Sequence, residues 1–366
     1  MAAACYPVGL RYSYSKRFAG RTGMRFGFFD QLPCASGFTE HQRYRDIMAQ
    51  IELGDELGFD TAWLGEIHLN RAFSILADPL MVLAAAAQRA RRIRLGTAVT
   101  LLPLHNPIKI AEQAATADIL SNGRLEFGVG RGVAYQYRGY GIPQEESRER
   151  FEEALDFILQ AWTEDSFSFE GKHFRARDIS VVPRPAQLPH PPLRIAANSP
   201  DTFPFSGRRK FPIFASPLIN PPDKLKAGLT IYRDTLASSP GDVALAFPVH
   251  VATSRRQARQ DCEAGLMRFL RVAVELARPH GQADFTSFEA FRQVFARFEQ
   301  VKYEDFDRDI GVFGDPDYCV ERVRALRAEY GMDEFICYFN QGGIMDHAMV
   351  TQSMTSFARD VIPHCR

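Results

Sequence analysis

Short apolar runs alternate with longer amphipathic stretches along this chain from residue 24 onward. The apolar runs are typical of strands buried on both faces, and the longer stretches have the spacing of helices. The strands are predicted at 25–29, 61–65, 93–99, 125–129, 193–197, 212–215, 243–251 and 334–339. The helices are predicted at 40–57, 79–92, 108–120, 148–163, 223–238, 254–276, 316–330 and 346–361. A strand and a helix repeated roughly eight times predict an α/β fold, a (β/α)8 TIM barrel with insertions at the C-terminal face.

Three segments lie outside a minimal barrel. Residues 167–174 have the pattern of a small hairpin. Residues 277–313 have weak periodicity between the last two predicted strands, where a lid over the catalytic face is expected. Residues 1–23 contain basic side chains but no long apolar stretch, and we expect them to form a disordered extension. Residues 24–366 are expected to form one barrel domain.

Composition narrows the class of protein. The 366 residues include 44 Lys and Arg and 44 Asp and Glu, so the formal net charge is zero. No basic surplus therefore favours binding to nucleic acid or to an anionic membrane. The six cysteines form no CxxC pair, which is typical of free thiols in a reducing compartment, so we expect a cytoplasmic protein. No apolar run approaches the about 20 residues that span a bilayer.

Barrel enzymes bind substrates at the C-terminal ends of their strands, so polar residues that follow a predicted strand are candidates for the site. Glu66 and His68 follow the second strand and are two residues apart. They share a face if the strand continues, and the acid can then fix the tautomer of the imidazole. A histidine that only hydrogen-bonds to the backbone is the alternative.

Two further strand ends carry groups suited to phosphate. Gly130 and Arg131 follow the fourth strand, where glycine permits close approach of a ligand and arginine binds phosphate with two hydrogen bonds. Asn198, Ser199 and Thr202 follow the fifth strand and precede a helix. A helix N-terminus binds phosphate, although residues of these types also act simply as helix caps. Likewise, Arg131 can instead pair with a neighbouring carboxylate.

Several segments together resemble the luciferase-like flavin monooxygenase family, and in particular the bacterial luciferase alpha subunit. The resemblance runs in order from residue 24 to residue 363 and is carried by MRFGFF, GFDTAWLGEIHL, LGTAVTLLPLHNP, ADILSNGRLEFGVGRG, VFGDPDYCVERV and SFARDVIPHC. The segment ILSNGRLEFGVGRG is the most specific of these. The others are individually weak, but their common order is a strong signal.

The resemblance implies a two-component monooxygenase. Reduced FMN (FMNH2), supplied by a separate flavin reductase, would bind in the barrel mouth, with O2 as the co-substrate. Oxygen would form a peroxide on the flavin and then oxygenate a small organic substrate. A homodimer, or a heterodimer with a relative, is expected by the same analogy.

The resemblance also implies roles for individual residues. Arg131 would bind the FMN phosphate with help from Ser199 and Thr202. The other flavin contacts would be Ala98, Val99, Gly130, Ala196, Ala197 and Asn198, with a non-proline cis peptide between Ala98 and Val99. His68 and Glu66 would be catalytic. Ile67, Tyr135 and Tyr137 would line the substrate pocket.

The chain departs from the luciferase pattern at several site positions. Ile67 stands where that pattern has its catalytic histidine, Asn198 replaces a glutamate, Gly130 a cysteine and Pro217 a tryptophan. His68 can replace the missing histidine only if the chain leaves strand geometry there, since adjacent strand positions face opposite ways.

Three other functions remain open from the sequence. The same barrel could be a deazaflavin-dependent oxidoreductase, which transfers hydride and does not use oxygen. It could be a catalytically silent flavin-binding protein, because Ile67 has no group that exchanges a proton. It could also be a metal-dependent hydrolase that uses Glu66 and His68.

Overall fold

The computed structural model describes residues 23–237, 239–277 and 298–366. The predicted N-terminal extension, apart from Gly23, and residues 278–297 of the predicted lid lie outside these ranges. Among the described residues, no helix has both the length and the apolarity needed to cross a membrane.

Eight parallel strands close into the predicted barrel, in the order β1-β2-β3-β5-β8-β9-β10-β12, and β12 pairs back with β1. Their bounds are Arg25–Asp30 (β1), Thr61–Leu64 (β2), Arg94–Thr97 (β3), Leu125–Gly130 (β5), Leu193–Ala196 (β8), Ile213–Ala215 (β9), Val243–Val251 (β10) and Glu334–Tyr338 (β12). Two short strands extend the sheet at Thr100–Leu101 (β4, on β5) and Val312–Gly314 (β11, on β10). The predicted hairpin is present as Phe167–Glu170 (β6) and Arg175–Ile179 (β7).

Helices follow the strands in the expected alternation. Their bounds are Glu40–Leu57 (α1), Pro79–Ala86 (α2), Pro107–Leu120 (α3), Ala134–Tyr140 (α4), Ser147–Thr163 (α5), Thr202–Arg209 (α6), Pro222–Leu236 (α7), Arg255–Ala277 (α8), Tyr303–Asp309 (α9), Pro316–Tyr330 (α10) and His347–Ser356 (α11). Helix α11 continues as a π-helical turn over Phe357–Val361.

The helices begin and end where local hydrogen bonds and backbone conformation require it. The periodicity of apolar residues does not show these positions. Helix α1 begins after Thr39, whose side chain accepts from the amide of Gln42, and ends at Gly58 with a φ of 80°. Helix α2 is shorter than the predicted 79–92. The carboxylate of Asp55 accepts the amides of Arg92 and Ile93 at 2.7 and 2.6 Å, so the backbone there leaves the helix before β3.

Residues 303–313, the last part of the predicted lid, have regular secondary structure. Helix α9 and strand β11 form there, and Tyr303 stacks on Phe313 with ring centroids 5.9 Å apart. Both side chains are buried. A seven-residue helix followed by a three-residue strand is too short to produce a clear periodicity, so the sequence pattern did not reveal them.

A set of charged side chains is buried inside the barrel where the strands close on one another. Arg25 Nη2 lies 2.6 Å from Asp242 Oδ2, and Arg194 Nη2 lies 2.7 Å from Asp242 Oδ1. Glu334 Oε2 lies 3.4 Å from Arg25, and Glu334 Oε1 accepts from the Trp63 indole at 2.7 Å. Burial raises the pKa of Asp242, but the two guanidinium groups outweigh it and hold that pKa below its ordinary value. We call these four charged residues the interior ion network.

We predict that Asp242→Ala strongly destabilises the protein. The variant removes the carboxylate that pairs with both buried guanidinium groups, and breaking a buried pair costs about 3–5 kcal/mol. Urea unfolding followed by circular dichroism measures the loss. Asp165→Ala is the matched control, because its pair with Arg184 is exposed and should be worth less than about 1 kcal/mol. Similar losses in the two variants would contradict the assigned role of the network.

Candidate active site

The loops that follow β2 and β3 lie side by side at the carboxyl ends of the strands. Strand β2 ends at Leu64, and the next residues leave strand geometry. The Glu66 amide donates to the Val99 carbonyl at 3.3 Å, and the Ala98 amide donates to the Leu64 carbonyl at 2.7 Å. These bonds fix the position of Glu66 directly beside the Ala98–Val99 segment.

The Glu66 carboxylate is the centre of a buried acid–imidazole cluster, which comprises Glu66, His68 and His105. Glu66 Oε1 lies 2.7 Å from His68 Nε2 and 2.5 Å from His105 Nε2, while Oε2 accepts the Leu101 amide at 3.0 Å. Burial raises the pKa of Glu66, but its hydrogen bonds to His105 and His68 outweigh it and the pKa is below its ordinary value. Glu66 is therefore an anion at neutral pH.

His68 contacts Glu66, although the strand from which the sequence predicted this contact ends at Leu64. The chain has left strand geometry there, which was the condition for His68 to replace the missing histidine. Its other ring nitrogen, Nδ1, lies 3.0 Å from the Tyr140 hydroxyl on α4. His105 was not singled out from the sequence. It stands 39 residues after Glu66, in the loop before α3, and no local spacing connects the two. Only the adjacency of parallel strands brings their loops together.

A second cluster lies where β5 ends and α6 begins. Arg131 Nη2 donates to Ser199 Oγ at 2.9 Å, and Ser199 Oγ lies 2.7 Å from Thr202 Oγ1. Burial and then the nearby Arg148 lower the pKa of the Arg131 guanidinium. The neighbouring carboxylate of Asp201 pairs with Arg148 and not with Arg131. The three residues predicted to bind phosphate are thus in contact with one another, and Arg131 supplies the positive charge.

Small residues lie between these two clusters. The peptide bond between Ala98 and Val99 is cis, as the resemblance implies. A Cβ on Gly130 would lie 2.5 Å from Val99 Cγ2 and 3.4 Å from Ala196 Cβ, so no larger residue fits there without movement. The absence of a side chain at Gly130 therefore lets Val99 pack directly against the end of β5.

The segment after β8 is held from the neighbouring strand. The buried Ala197 donates its amide to the Phe214 carbonyl at 2.7 Å. Asn198 Oδ1 accepts from Asn220 Nδ2 at 3.1 Å, a neutral contact where luciferase has a glutamate. No negative charge therefore stands at this position beside Ser199.

A cavity of about 380 Å³ opens between the loop after β2, helix α4 and the end of α8. It is lined by Leu69, Asn70, Tyr135, Arg138, Gly139, Glu275 and Leu276. The Tyr135 hydroxyl is buried without a hydrogen-bond partner among the described residues. Tyr135 therefore lies where the sequence placed it, on a pocket wall.

Two other residues expected in the pocket lie elsewhere. Tyr137 is only 1 % exposed, and its hydroxyl donates to the Arg131 carbonyl, so it supports the Arg131 loop from the core. Ile67 is half-buried and donates its amide to the Leu76 carbonyl at 3.0 Å, and it does not line the cavity. The side chains of a short helix point in several directions. The sequence around Tyr135 does not show which of them face the cavity.

The acid–imidazole cluster also has the composition of a metal site. One ligand atom from each of its three residues lies within 4.8 Å of the others. Two imidazoles and a carboxylate suit several transition metals. In this arrangement, however, Glu66 Oε1 and both Nε2 atoms are already engaged in hydrogen bonds at 2.5 and 2.7 Å.

A closed barrel that collects an acid–imidazole cluster and an arginine–hydroxyl cluster at its carboxyl end defines an enzyme of the (β/α)8 class. The sequence profile of the family described as luciferase-like monooxygenase matches residues 24–334. This chain belongs to the luciferase-like monooxygenase family.

Curated relatives agree with this assignment. The alkanal monooxygenase alpha chain of Photorhabdus luminescens is 24% identical over 353 residues, which cover 93% of this chain and 96% of that protein. The oxygenase component of flavin-dependent trigonelline monooxygenase from Acinetobacter baylyi is 30% identical over 53% of this chain and 55% of that protein. An uncharacterized Sinorhizobium fredii protein, y4wF, is 36% identical over 49% of this chain. The chain spans about half the length of the last two relatives.

Solved structures share the fold over nearly the whole chain. Monooxygenase RslO1 from Streptomyces bottropensis is 26% identical with a TM-score of 0.78, over 93% of this chain and 99% of that one. The oxygenating constituent of 3,6-diketocamphane monooxygenase from Pseudomonas putida, in complex with FMN, is 19% identical with a TM-score of 0.79, over 94% and 99%. The coenzyme F420-dependent tetrahydromethanopterin reductase from Methanopyrus kandleri is 19% identical with a TM-score of 0.69, over 94% and 100%.

We predict that Tyr135→Phe and Tyr137→Phe change stability in opposite directions. The Tyr135 hydroxyl has no hydrogen-bond partner among the described residues, so its removal should raise the free energy of unfolding by up to about 1 kcal/mol. The Tyr137 hydroxyl bonds to Arg131, so its removal should lower that energy by about 1 kcal/mol. Urea unfolding compares these matched variants of one helix. A loss of stability in Tyr135→Phe would show that its hydroxyl has a structural partner.

Proposed function

We propose that this protein is the oxygenase component of a two-component monooxygenase, which uses FMNH2 and O2 to oxygenate a small organic substrate. The observation that carries the proposal is the Arg131–Ser199–Thr202 cluster, in which Arg131 hydrogen-bonds to a hydroxyl group and not to a carboxylate. Membership of the luciferase-like family supports the flavin assignment.

The residues of the barrel mouth fit FMN. A phosphate dianion matches the charge of Arg131, and it also fits the start of α6, where helix N–H groups favour anions. The flavin ring would lie against the Ala98–Val99 segment, which packs directly on the backbone of Gly130. When bound, reduced FMN would supply two electrons and two protons, with which one oxygen atom of O2 enters the substrate and the other leaves as water.

The protein's own groups would position the reactants and control protons. Arg131 and Ser199 would hold the phosphate, which fixes how deep the flavin lies. The acid–imidazole cluster lies beside the Ala98–Val99 segment and would hold a proton near the reacting centre. Ile67, apolar and half-buried, would help to keep water out.

A deazaflavin-dependent oxidoreductase is the second candidate. The F420-dependent reductase from Methanopyrus kandleri has the same fold with a TM-score of 0.69, so the barrel alone does not select the cofactor. Such an enzyme would transfer hydride and would not consume oxygen.

A separate flavin reductase is part of the proposal. It is supported by the similarity to the trigonelline monooxygenase from Acinetobacter baylyi, which is named as an oxygenase component. A cytoplasmic location is supported by the five described cysteines, all of them free and buried. We also retain pairing with a second copy or with a relative as a proposal.

An isotope-labelling assay tests the function. The protein is mixed with FMNH2 and 18O2 over a panel of aldehydes, ketones and aromatic compounds, and products are analysed by mass spectrometry. We expect one 18O atom per product molecule, formed only with this protein. Substrate reduction by a reduced deazaflavin under anaerobic conditions, without any 18O-labelled product in the first assay, would establish the second candidate instead.

We predict that Arg131→Ala weakens FMNH2 binding about ten- to hundredfold, because hydrogen bonds to a charged group contribute roughly 1.5–3 kcal/mol. Reduced riboflavin lacks the phosphate and should bind the wild type and the variant nearly equally. Anaerobic fluorescence titration measures both affinities. If riboflavin binding falls by the same factor, Arg131 supports the fold and does not bind phosphate.

A further inference from the structure

The two imidazoles of the acid–imidazole cluster differ in what their second ring nitrogen contacts. His68 Nδ1 lies 3.0 Å from the Tyr140 hydroxyl, so both of its nitrogens have partners. His105 Nδ1 has no hydrogen-bond partner in the described part of the chain. The His105 side chain is 26% exposed, whereas that of His68 is 7% exposed. Only His105 presents a ring nitrogen that is free to exchange a proton.

The shared carboxylate fixes where the protons lie. Both Nε2 atoms point at the same oxygen of an ionised Glu66, so each must carry a hydrogen and donate it. His68 Nδ1 is occupied by the Tyr140 hydroxyl, which can act as donor or acceptor, so this nitrogen is not open to a further partner. His105 can take a second proton at Nδ1 without losing any contact.

The groups that face His105 come from several elements. Glu66 follows β2 and bonds to it directly, Asp78 caps α2, and the His68 ring lies 6.3 Å away. Burial lowers the pKa of His105, but the hydrogen bond and charge of Glu66, with Asp78, outweigh it and raise that pKa above its ordinary value. The charged form of His105 is thus stabilised relative to that of an ordinary histidine.

We propose that His105 is the proton-exchanging residue of this site, that Glu66 positions it, and that His68 and Tyr140 hold Glu66 in place. The proposal rests on the monooxygenase function proposed above. Overall, FMNH2, O2 and the substrate yield FMN, the oxygenated substrate and water. His105 donates its Nδ1 proton to the oxygen atom that leaves as water and regains one of the two protons released by FMNH2. Without that donor, FMNH2 and O2 yield FMN and hydrogen peroxide.

This assignment explains how the site can work with Ile67. The side chain at position 67 cannot exchange a proton, but the neighbouring loop supplies an imidazole to the same carboxylate. The proposed proton donor therefore lies in the loop before α3, whereas the luciferase pattern has its catalytic histidine in the loop after β2. His68, to which the sequence analysis assigned this role, supports Glu66 instead.

Imidazole NMR of the flavin-free protein tests the proposal without any turnover. The C–H signals of labelled histidines are followed over pH 5–9, with His105→Gln and His68→Gln used for assignment. We expect the His105 signal to titrate with a pKa above about 6.5, the ordinary value for histidine. A His105 signal that does not titrate over this range, or that titrates below that value, would overturn the proposal.

Coupling of oxygen use to product tests the role in catalysis. His105→Gln keeps an amide that can donate to Glu66 but cannot titrate. We expect product per O2 to fall about 100-fold, the lower range of general acid catalysis, with hydrogen peroxide formed instead. The affinity for FMNH2 should stay within about twofold. Wild-type coupling should be high below the pKa of His105 and fall as the pH rises through it, and His105→Gln should lose this dependence.

The controls separate the possible failures. His364→Gln, an exposed change near the C-terminus, should behave as wild type. Unchanged coupling and pH dependence in His105→Gln would overturn the role of His105. So would one equivalent of Zn²⁺ bound to the purified protein and lost in Glu66→Gln, since the cluster would then be a metal site. If the wild type forms no oxygenated product at all, the monooxygenase function fails, while the NMR titration still decides the proton assignment.

Discussion

The interior ion network is the constraint on which the geometry of the barrel mouth depends. Asp242, which directly precedes β10, pairs with Arg25 on β1 and with Arg194 on β8. Glu334 on β12 lies beside Arg25, so four separate parts of the barrel contribute two basic and two acidic side chains to one network. The buried guanidinium groups find their carboxylates only if the strands close in this order. A slip in pairing would leave a charge buried without its partner, at a cost of several kcal/mol.

Closure with a fixed register then places the functional groups. Leu64 pairs with Thr97, so the loops that carry Glu66 and the Ala98–Val99 segment emerge side by side. Val129 pairs with Ile195, so Arg131 and Ser199 leave neighbouring strands at the same height. The acid–imidazole cluster and the Arg131–Ser199–Thr202 cluster are therefore consequences of parallel pairing, and neither cluster is contained in a single loop.

The sequence predicted what depends on short separations and on strand ends. It predicted the barrel strands, the contact between Glu66 and His68, and the residues that gather around Arg131. It did not predict the partnership of Glu66 with His105, because 39 residues separate them, nor that of Arg25 with Asp242, 217 residues apart. Both depend on which strands become neighbours. The sequence also did not predict that Tyr137 lies in the core, because the direction of a side chain on a short helix depends on packing.

We propose that one flavin contacts both clusters at the barrel mouth. An anaerobic crystal structure of the complex with FMNH2 tests this claim most directly. The expected result has phosphate oxygens within hydrogen-bond distance of Arg131 and Ser199, with the flavin ring against the Ala98–Val99 segment and within reach of the acid–imidazole cluster. A flavin whose phosphate lies away from Arg131, or whose ring lies outside the mouth between β3 and β5, would contradict the claim.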